Sequence, residues 1–214
     1  TLSNITFELH HLFNEDEEVE KFLNASKVFK HLLSRTKTII IKRNTPTPFT
    51  TSSLQQTASN KYNMSPKITM SLAQKLYQDG KITYMRTDNN KISFDFGENV
   101  KKMVLSNYGE PYLGECQHIS KQADTSHDHE CIRPTNVSIQ QLDSKMYSPM
   151  ERNLYNLIWK QTIQSCMSTA TGQQYKCIIS APEERHYCHT FEKITFLGFM
   201  MLNSSLPGTR YDFF

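Results

Sequence analysis

The sequence predicts an α+β chain whose helical middle is set between two β-rich ends. Two observations carry this. Apolar residues recur at helical spacing through the middle, whereas the ends alternate or run β-branched. Asn44-Thr45-Pro46-Thr47-Pro48 then interrupts the chain, because two prolines exclude a continuing strand or helix. A domain boundary falls there. The division that follows is 1–45 as the first part of a β-rich domain, 46–163 as a helical domain, and 164–214 as the second part of the β-rich domain. The two β-rich ends can pair, which would make the outer domain discontinuous.

Thr6 to Phe13 alternates as a strand does. Asn14 can cap a helix whose first turn, Glu15 to Glu18, is matched to the positive end of the helix dipole. Val19, Phe22, Leu23, Phe29, Leu32 and Leu33 give that helix a buried face, and the dipole accounts for the acidic run without a metal. Thr36 to Lys42 reads as a strand with Ile39, Ile40 and Ile41 buried. Ser52 with Gln55 predicts a capping box, with Leu54, Ala58 and Tyr62 following on one face. Ser65-Pro66 opens a helix with the stripe Ile68, Leu72 and Leu76, and Gly80 stops it. Ser93 can cap a third helix to about Asn107, with Val100, Met103 and Val104 inward and Gly97 weakening it. Tyr108 to Asp128 reads as loop. Ser148-Pro149-Met150-Glu151 starts a further helix, with Met150, Leu154, Leu157, Ile158 and Ile163 buried and Trp159 in the core. Tyr175 to Ile179 and Phe191 to Met201 read as strands.

Composition narrows the function classes. Net charge is +3 over 214 residues, and basic and acidic residues are near balance in each segment, so no basic arm marks a nucleic-acid binder. The apolar runs are far too short to span a bilayer. The start shows no signal peptide and no initiator Met, which points to an intracellular piece of a longer protein. Five cysteines, at 116, 131, 166, 177 and 188, include no C-x-x-C pair, which predicts free thiols in a reducing compartment.

The chemistry concentrates in Ile82-Thr83-Tyr84-Met85-Arg86-Thr87-Asp88-Asn89. A phenol is a weak nucleophile at neutral pH, with a reference pKa of about 10, and needs a cation or base beside it. Arg86 is two residues on, so in an extended segment it shares a face with Tyr84. Its fork can hold two phosphate oxygens. His129 could bond the same phosphate if Asp88 held its other ring nitrogen. Each residue also has a plain structural alternative. Tyr84 could be an ordinary strand-end tyrosine, Arg86 a salt-bridge partner of Asp88, His129 a surface or capping histidine, and Arg133 purely structural.

Pro48-Phe49-Thr50-Thr51-Ser52-Ser53-Leu54-Gln55-Gln56, followed by Tyr84-Met85-Arg86-Thr87-Asp88, resembles the tyrosine-bearing segment of type IA DNA topoisomerases, in the bacterial topoisomerase I branch. His129-Glu130-Cys131-Ile132-Arg133-Pro134-Thr135 resembles the family's second motif, HEAIRPT. The likeness is specific over 45–95 and 125–136 and diffuse over the flanks. Asn89 stands where the bacterial proteins usually have serine, and Cys131 replaces an alanine.

The resemblance implies the toroid of that family, with the helical domain inserted into a β-rich arch. It implies a 5′-phosphotyrosine on one DNA strand, a free 3′-hydroxyl and ATP-independent strand passage. The substrate is the single-stranded segments of underwound duplex, in the cytoplasm or at the nucleoid. By motif position Tyr84 is the nucleophile, Arg86 holds the phosphate, and His129 with Asp88 forms a relay. Arg86, His129 and Arg133 would contact DNA. The family binds Mg²⁺ through an acidic Toprim domain, which this chain lacks, so the chain would hold half of an active site and depend on the Toprim-containing part. The competing reading is a single-stranded DNA-binding module that does not cut. A zinc site at His127, His129, Glu130 and Cys131 is disfavoured, because no second ligand cluster lies at zinc spacing.

Overall fold

The computed structural model describes residues 5–35, 38–116 and 130–203. The α+β class holds. The chain divides into two units, one built from Thr1–Lys42 and Thr171–Phe196, the other from Arg43–Ala170 and Leu197–Pro207.

In the first unit, β1 (Glu8–Leu9), β5 (His186–Phe196), β4 (Ala170–Ser180) and β2 (Leu33–Arg35) lie side by side in that order, with β3 (Ile39–Arg43) also paired to β4. β4 and β5 form a long antiparallel hairpin with Cys177 opposite His189, and β1 and β2 flank it. Helix α1 (Asp16–Val28) begins at Glu15 without a side-chain cap, so Asn14 does not fill the role expected of it. Of the apolar face predicted for α1, only Phe22 is buried within the helix. Leu32 and Leu33 lie beyond its end, and Leu33 belongs to β2. The guanidinium of Arg185 lies over the rings of Phe13 and Phe22, at 4.8 and 5.4 Å from their centroids.

Three strand expectations change. Ile39 and Ile40 are 58% and 76% exposed rather than buried. A β-branched run implies a strand, but it does not imply that both faces are covered. The last predicted strand stops at Phe196 instead of Met201, because Gly198, at φ +48°, turns the chain into a short 3-10 helix, Gly198–Asn203. The strand predicted over Thr6 to Phe13 shrinks to Glu8–Leu9.

The second unit is a helical body around one apolar core. α2 (Thr51–Tyr62), α3 (Pro66–Gln78), α4 (Phe94–Tyr108) and α5 (Pro149–Gln164) contribute Leu54, Ala73, Leu76, Val100, Leu154 and Ile158 to it. The capping box of α2 is made by Thr50 and Ser53, two residues before the pair expected. The buried stripe of α3 is Thr69, Ala73 and Leu76 rather than Ile68, Leu72 and Leu76. Burial of Thr69 is tolerated because its hydroxyl donates to Ser65 O at 3.1 Å.

α5 starts with the Ser148–Glu151 capping box and buries Leu154, Leu157, Ile158, Trp159 and Ile163, while Met150 is exposed. It also anchors the chain after Pro134. Trp159 Nε1 donates to Val137 O at 2.8 Å, and Tyr155 Oη donates to Ile139 O at 2.7 Å. Burial pushes the Tyr155 phenol up to about 12.

Cys116 and Cys166 are joined as a disulfide with Cα atoms 4.4 Å apart, which corrects the expectation of free thiols for these two. They are 50 residues apart, so spacing carries no trace of the pair. A bridge between Leu113 and Met167 and the Gly114 N–H···Cys166 O bond bring them together. Gly114 is required there, since a Cβ would meet Met167 O at 2.0 Å. Cys131, Cys177 and Cys188 are free.

Candidate active site

The site begins with how α3 ends. Gly80 adopts φ +66°, its N–H donates to Tyr77 O, and Lys81 N–H reaches back to Leu76 O at 2.8 Å. This is a Schellman closure, which needs a left-handed residue and therefore favours glycine. The chain leaves it as an irregular segment that bridges at Ile82 and bends at Thr83 and Met85.

From Tyr84 to Asp88 exposure alternates: Met85 and Thr87 are buried, while Tyr84, Arg86 and Asp88 are exposed. Ile82, two residues before Tyr84, is buried. These three residues of the expected site, Tyr84, Arg86 and Asp88, thus lie on the open edge of the segment. Tyr84 is 37% exposed, and its ring packs against Tyr77 of α3 with centroids 5.3 Å apart at 68°. Among the described residues no ion pair joins Arg86 to Asp88.

The main chain of this segment is held on both sides. Towards the HEAIRPT-like motif, Thr83 N–H donates to Arg133 O at 2.9 Å, Thr83 Oγ1 donates to Cys131 O at 2.7 Å and accepts from Arg133 N–H at 3.0 Å. Ile82 bridges to Pro134, and Thr135 donates to Gly80 O and Lys81 O at 2.7 and 3.0 Å. On the other side Thr51, the first residue of α2, contacts the carbonyls of Met85 and Thr87. Phe49 bridges to Ile132, with Ile132 N–H···Phe49 O at 2.8 Å, and so closes the frame.

Arg133 turns inward. Its Nε and Nη2 donate to the two oxygens of Glu130 at 2.8 and 2.6 Å, Nη1 donates to Pro134 O at 2.9 Å, and the guanidinium lies 3.9 Å from the centroid of Phe96. Glu130 also accepts from Ser93 N–H at 3.2 Å, so it caps the start of α4 from outside the helix. Ser93 itself caps with its backbone position only. Cys131 is fully buried in the core, and burial pushes its thiol up to about 12, with the Glu130 charge adding to the shift.

His129, His127 and Asp128 lie outside the described residues, so the expected His129–Asp88 relay falls there too. Among the described residues no group of three or more His, Cys, Asp or Glu could hold a metal ion. No helix among them is long and apolar enough to cross a membrane. A shallow open depression of about 480 Å³ lies beside Arg86, lined by Thr51, Ser52, Gln55, Thr87 and Asp88. Thr51 and Thr83 are not marked by the sequence as working residues, and Glu130 is marked only as a candidate zinc ligand, not as the partner of Arg133. Thr51 and Thr83 work through hydrogen bonds to main chain 34 to 50 residues away, which leave no periodic signature.

The profile of the family described as DNA topoisomerase matches residues 6–209. DNA topoisomerase 1 of Buchnera aphidicola subsp. Acyrthosiphon pisum is 40% identical over 169 residues, covering 77% of this chain and 19% of that protein. DNA topoisomerase 1 type prokaryotic of Acanthamoeba polyphaga mimivirus is 36% identical over 157 residues, covering 73% of this chain and 18% of its own length. The structure of full-length topoisomerase I from Thermotoga maritima superposes with a TM-score of 0.75 at 26% identity, over 97% of this chain and 35% of that one. The chain spans about a fifth of the length of these two curated relatives. A match across nearly the whole chain, by sequence and by fold, makes it a member of the DNA topoisomerase family, in the type IA group.

Proposed function

We propose that this chain supplies the tyrosine side of the DNA gate in a type IA topoisomerase. The Tyr84 oxygen attacks the phosphorus of one strand. The phenol gives up its proton, the bond from phosphorus to the 3′ oxygen breaks, and that oxygen leaves protonated as a 3′-hydroxyl. The 5′ end stays on Tyr84 as a phosphodiester, so the reverse attack by the 3′-hydroxyl reseals the strand without ATP. Arg86 faces the same side and offsets the charge growing on the phosphate oxygens. Asp88 and His129 are assigned the supporting relay, and His129 also contacts the phosphate. Arg133 acts as a brace through Glu130, and the DNA contact first assigned to it is the weaker reading, because its donors are engaged within the protein.

The substrate in this reading is a single-stranded segment of underwound DNA inside the cell, at the nucleoid. Mg²⁺ would be held by the Toprim part of the enzyme, as the resemblance to the family implies. The observation that carries the proposal is the shared open edge of Tyr84, Arg86 and Asp88 on a segment whose main chain is held from both sides.

The test uses the full product of the gene that encodes this chain, with Mg²⁺ and an end-labelled single-stranded oligonucleotide. A detergent-stable protein–DNA adduct should form, and Tyr84→Phe should abolish it while DNA binding persists. Binding with no adduct in the unsubstituted protein would favour the non-cutting DNA-binding module. The 214-residue chain alone should not relax supercoiled DNA. Mg²⁺-dependent relaxation by it would overturn the assignment of the metal to another part.

A further inference from the structure

The first turn of α2 does more than start a helix. Thr51 Oγ1 lies 2.8 Å from Met85 O and 3.1 Å from Thr87 O, and it accepts from Thr87 N–H at 2.9 Å. The hydroxyl has one proton, so it divides its donation between the two carbonyls while its lone pair takes the amide. The Thr51 backbone N–H has no acceptor within its own helix and donates instead to Thr87 O at 2.9 Å. All four contacts go to main chain, and they bracket Arg86.

The other flank has its own anchor, since Thr83 is tied to Cys131 and Arg133 on the residue just before Tyr84. Met85 and Thr87 point inward between the anchors, and Thr87 Oγ1 is already occupied by Asn89 N–H at 3.1 Å. The position of the Arg86 Cα relative to Tyr84 therefore depends on the α2 side of the frame. There Thr51 is the side chain that binds the segment from 34 and 36 residues away.

We infer that Thr51 is a positioning residue for strand cleavage, its hydroxyl fixing the main chain on both sides of Arg86 and so the reach of that guanidinium to the phosphate attacked by Tyr84. This rests on the reading of Tyr84 as the nucleophile. A displacement of about 1 Å at a reacting centre costs on the order of 100-fold in rate. Thr51 touches no substrate in this account, so its loss should lower the rate of cleavage and leave affinity for DNA alone.

Two variants separate the hydroxyl from the shape. Thr51→Val keeps the volume and loses both hydrogen-bonding roles, whereas Thr51→Ser keeps the hydroxyl. Two readouts are needed. In the 214-residue chain, amide exchange at Thr87 should be at least about 10-fold faster in Thr51→Val and near the parent value in Thr51→Ser, with the Val100 and Ile158 amides unchanged. In the full gene product, adduct formation at saturating oligonucleotide should fall roughly 10- to 100-fold in Thr51→Val and return to within about threefold in Thr51→Ser, with oligonucleotide affinity within about twofold throughout. Unchanged Thr87 exchange in Thr51→Val would remove the anchor. Faster exchange with full cleavage would remove its functional role. An equal loss in Thr51→Ser and Thr51→Val would reduce Thr51 to a packing residue. If the unsubstituted protein forms no adduct, the nucleophile assignment fails first and takes the catalytic role of Thr51 with it.

Discussion

Arg133 illustrates how much one side chain can organise at this site. Its fork closes on both oxygens of Glu130, its third nitrogen takes Pro134 O, and its flat face covers Phe96. Glu130 in turn receives the N–H of Ser93 at the head of α4. Removing the guanidinium leaves a largely shielded carboxylate without its counter-charge. Arg133→Ala should therefore lower unfolding stability by roughly 2 kcal/mol, less than for a fully buried pair because both groups keep some contact with solvent. Arg133→Lys should recover little of this, because a point charge cannot make the two parallel bonds. Urea unfolding of the three proteins checks both statements. A lysine as stable as arginine would mean that charge alone matters here.

Among the elements, α5 shows that a buried carboxylate can be built into a helix start. Glu151 is 4% exposed, closes the capping box with Ser148, and receives Lys75 from α3. The Lys75 hydrogen bond, helped by Ser148, holds its carboxyl below the ordinary value of 4.5 against the opposing effect of burial. The ammonium of Lys75 is raised by the same bond, and Tyr147 and Asp79 lie in the same charge network. A carboxylate lowered in the folded state adds stability that is complete above its unfolded value. That stability is lost as pH falls through the folded value. The stability difference between the parent and Glu151→Gln should thus narrow as pH is lowered from about 6 to about 3. Chemical unfolding at several pH values measures it, and a pH-independent gap would mean the cap acts without its charge.

This helix also shows what a sequence discloses. Ser148, Pro149 and Glu151 signal the start of α5 because capping is local chemistry, and Gly80 signals the end of α3 for the same reason. Ile39 and Ile40 mislead, because their burial depends on what else covers the sheet. Alternation puts Arg86 on one face with Tyr84, whereas the exposure of Asp88 beside them is seen only in three dimensions. The anchors at Thr51 and Thr83 span 34 to 50 residues and could only be seen in three dimensions.

At the scale of the molecule, the two units are unequal. Among the described residues, the helical unit has a core of two dozen buried apolar residues, whereas the β-rich unit buries Phe22 and Ala181 and leaves Leu33, Ile39 and Ile40 exposed. Apolar burial is the main source of stability, so the helical unit should outlast the other. Trp159 is the only tryptophan and sits 3% exposed in the larger core. Its fluorescence should change at a higher urea concentration than the β-sheet signal in circular dichroism. Coincident transitions would mean that the units unfold as one.

The frame around Tyr84 is also a matter of timing. The Arg133 N–H that meets the Thr83 hydroxyl is 50 residues downstream in the chain. At synthesis rates of about 5–20 residues per second, Tyr84 leaves the ribosome's catalytic centre roughly 3–10 seconds before Arg133 is even joined to the chain. Throughout that interval the phenol exists without its partner strand. The nascent protein thus carries Tyr84 on a segment whose downstream main-chain anchors do not yet exist.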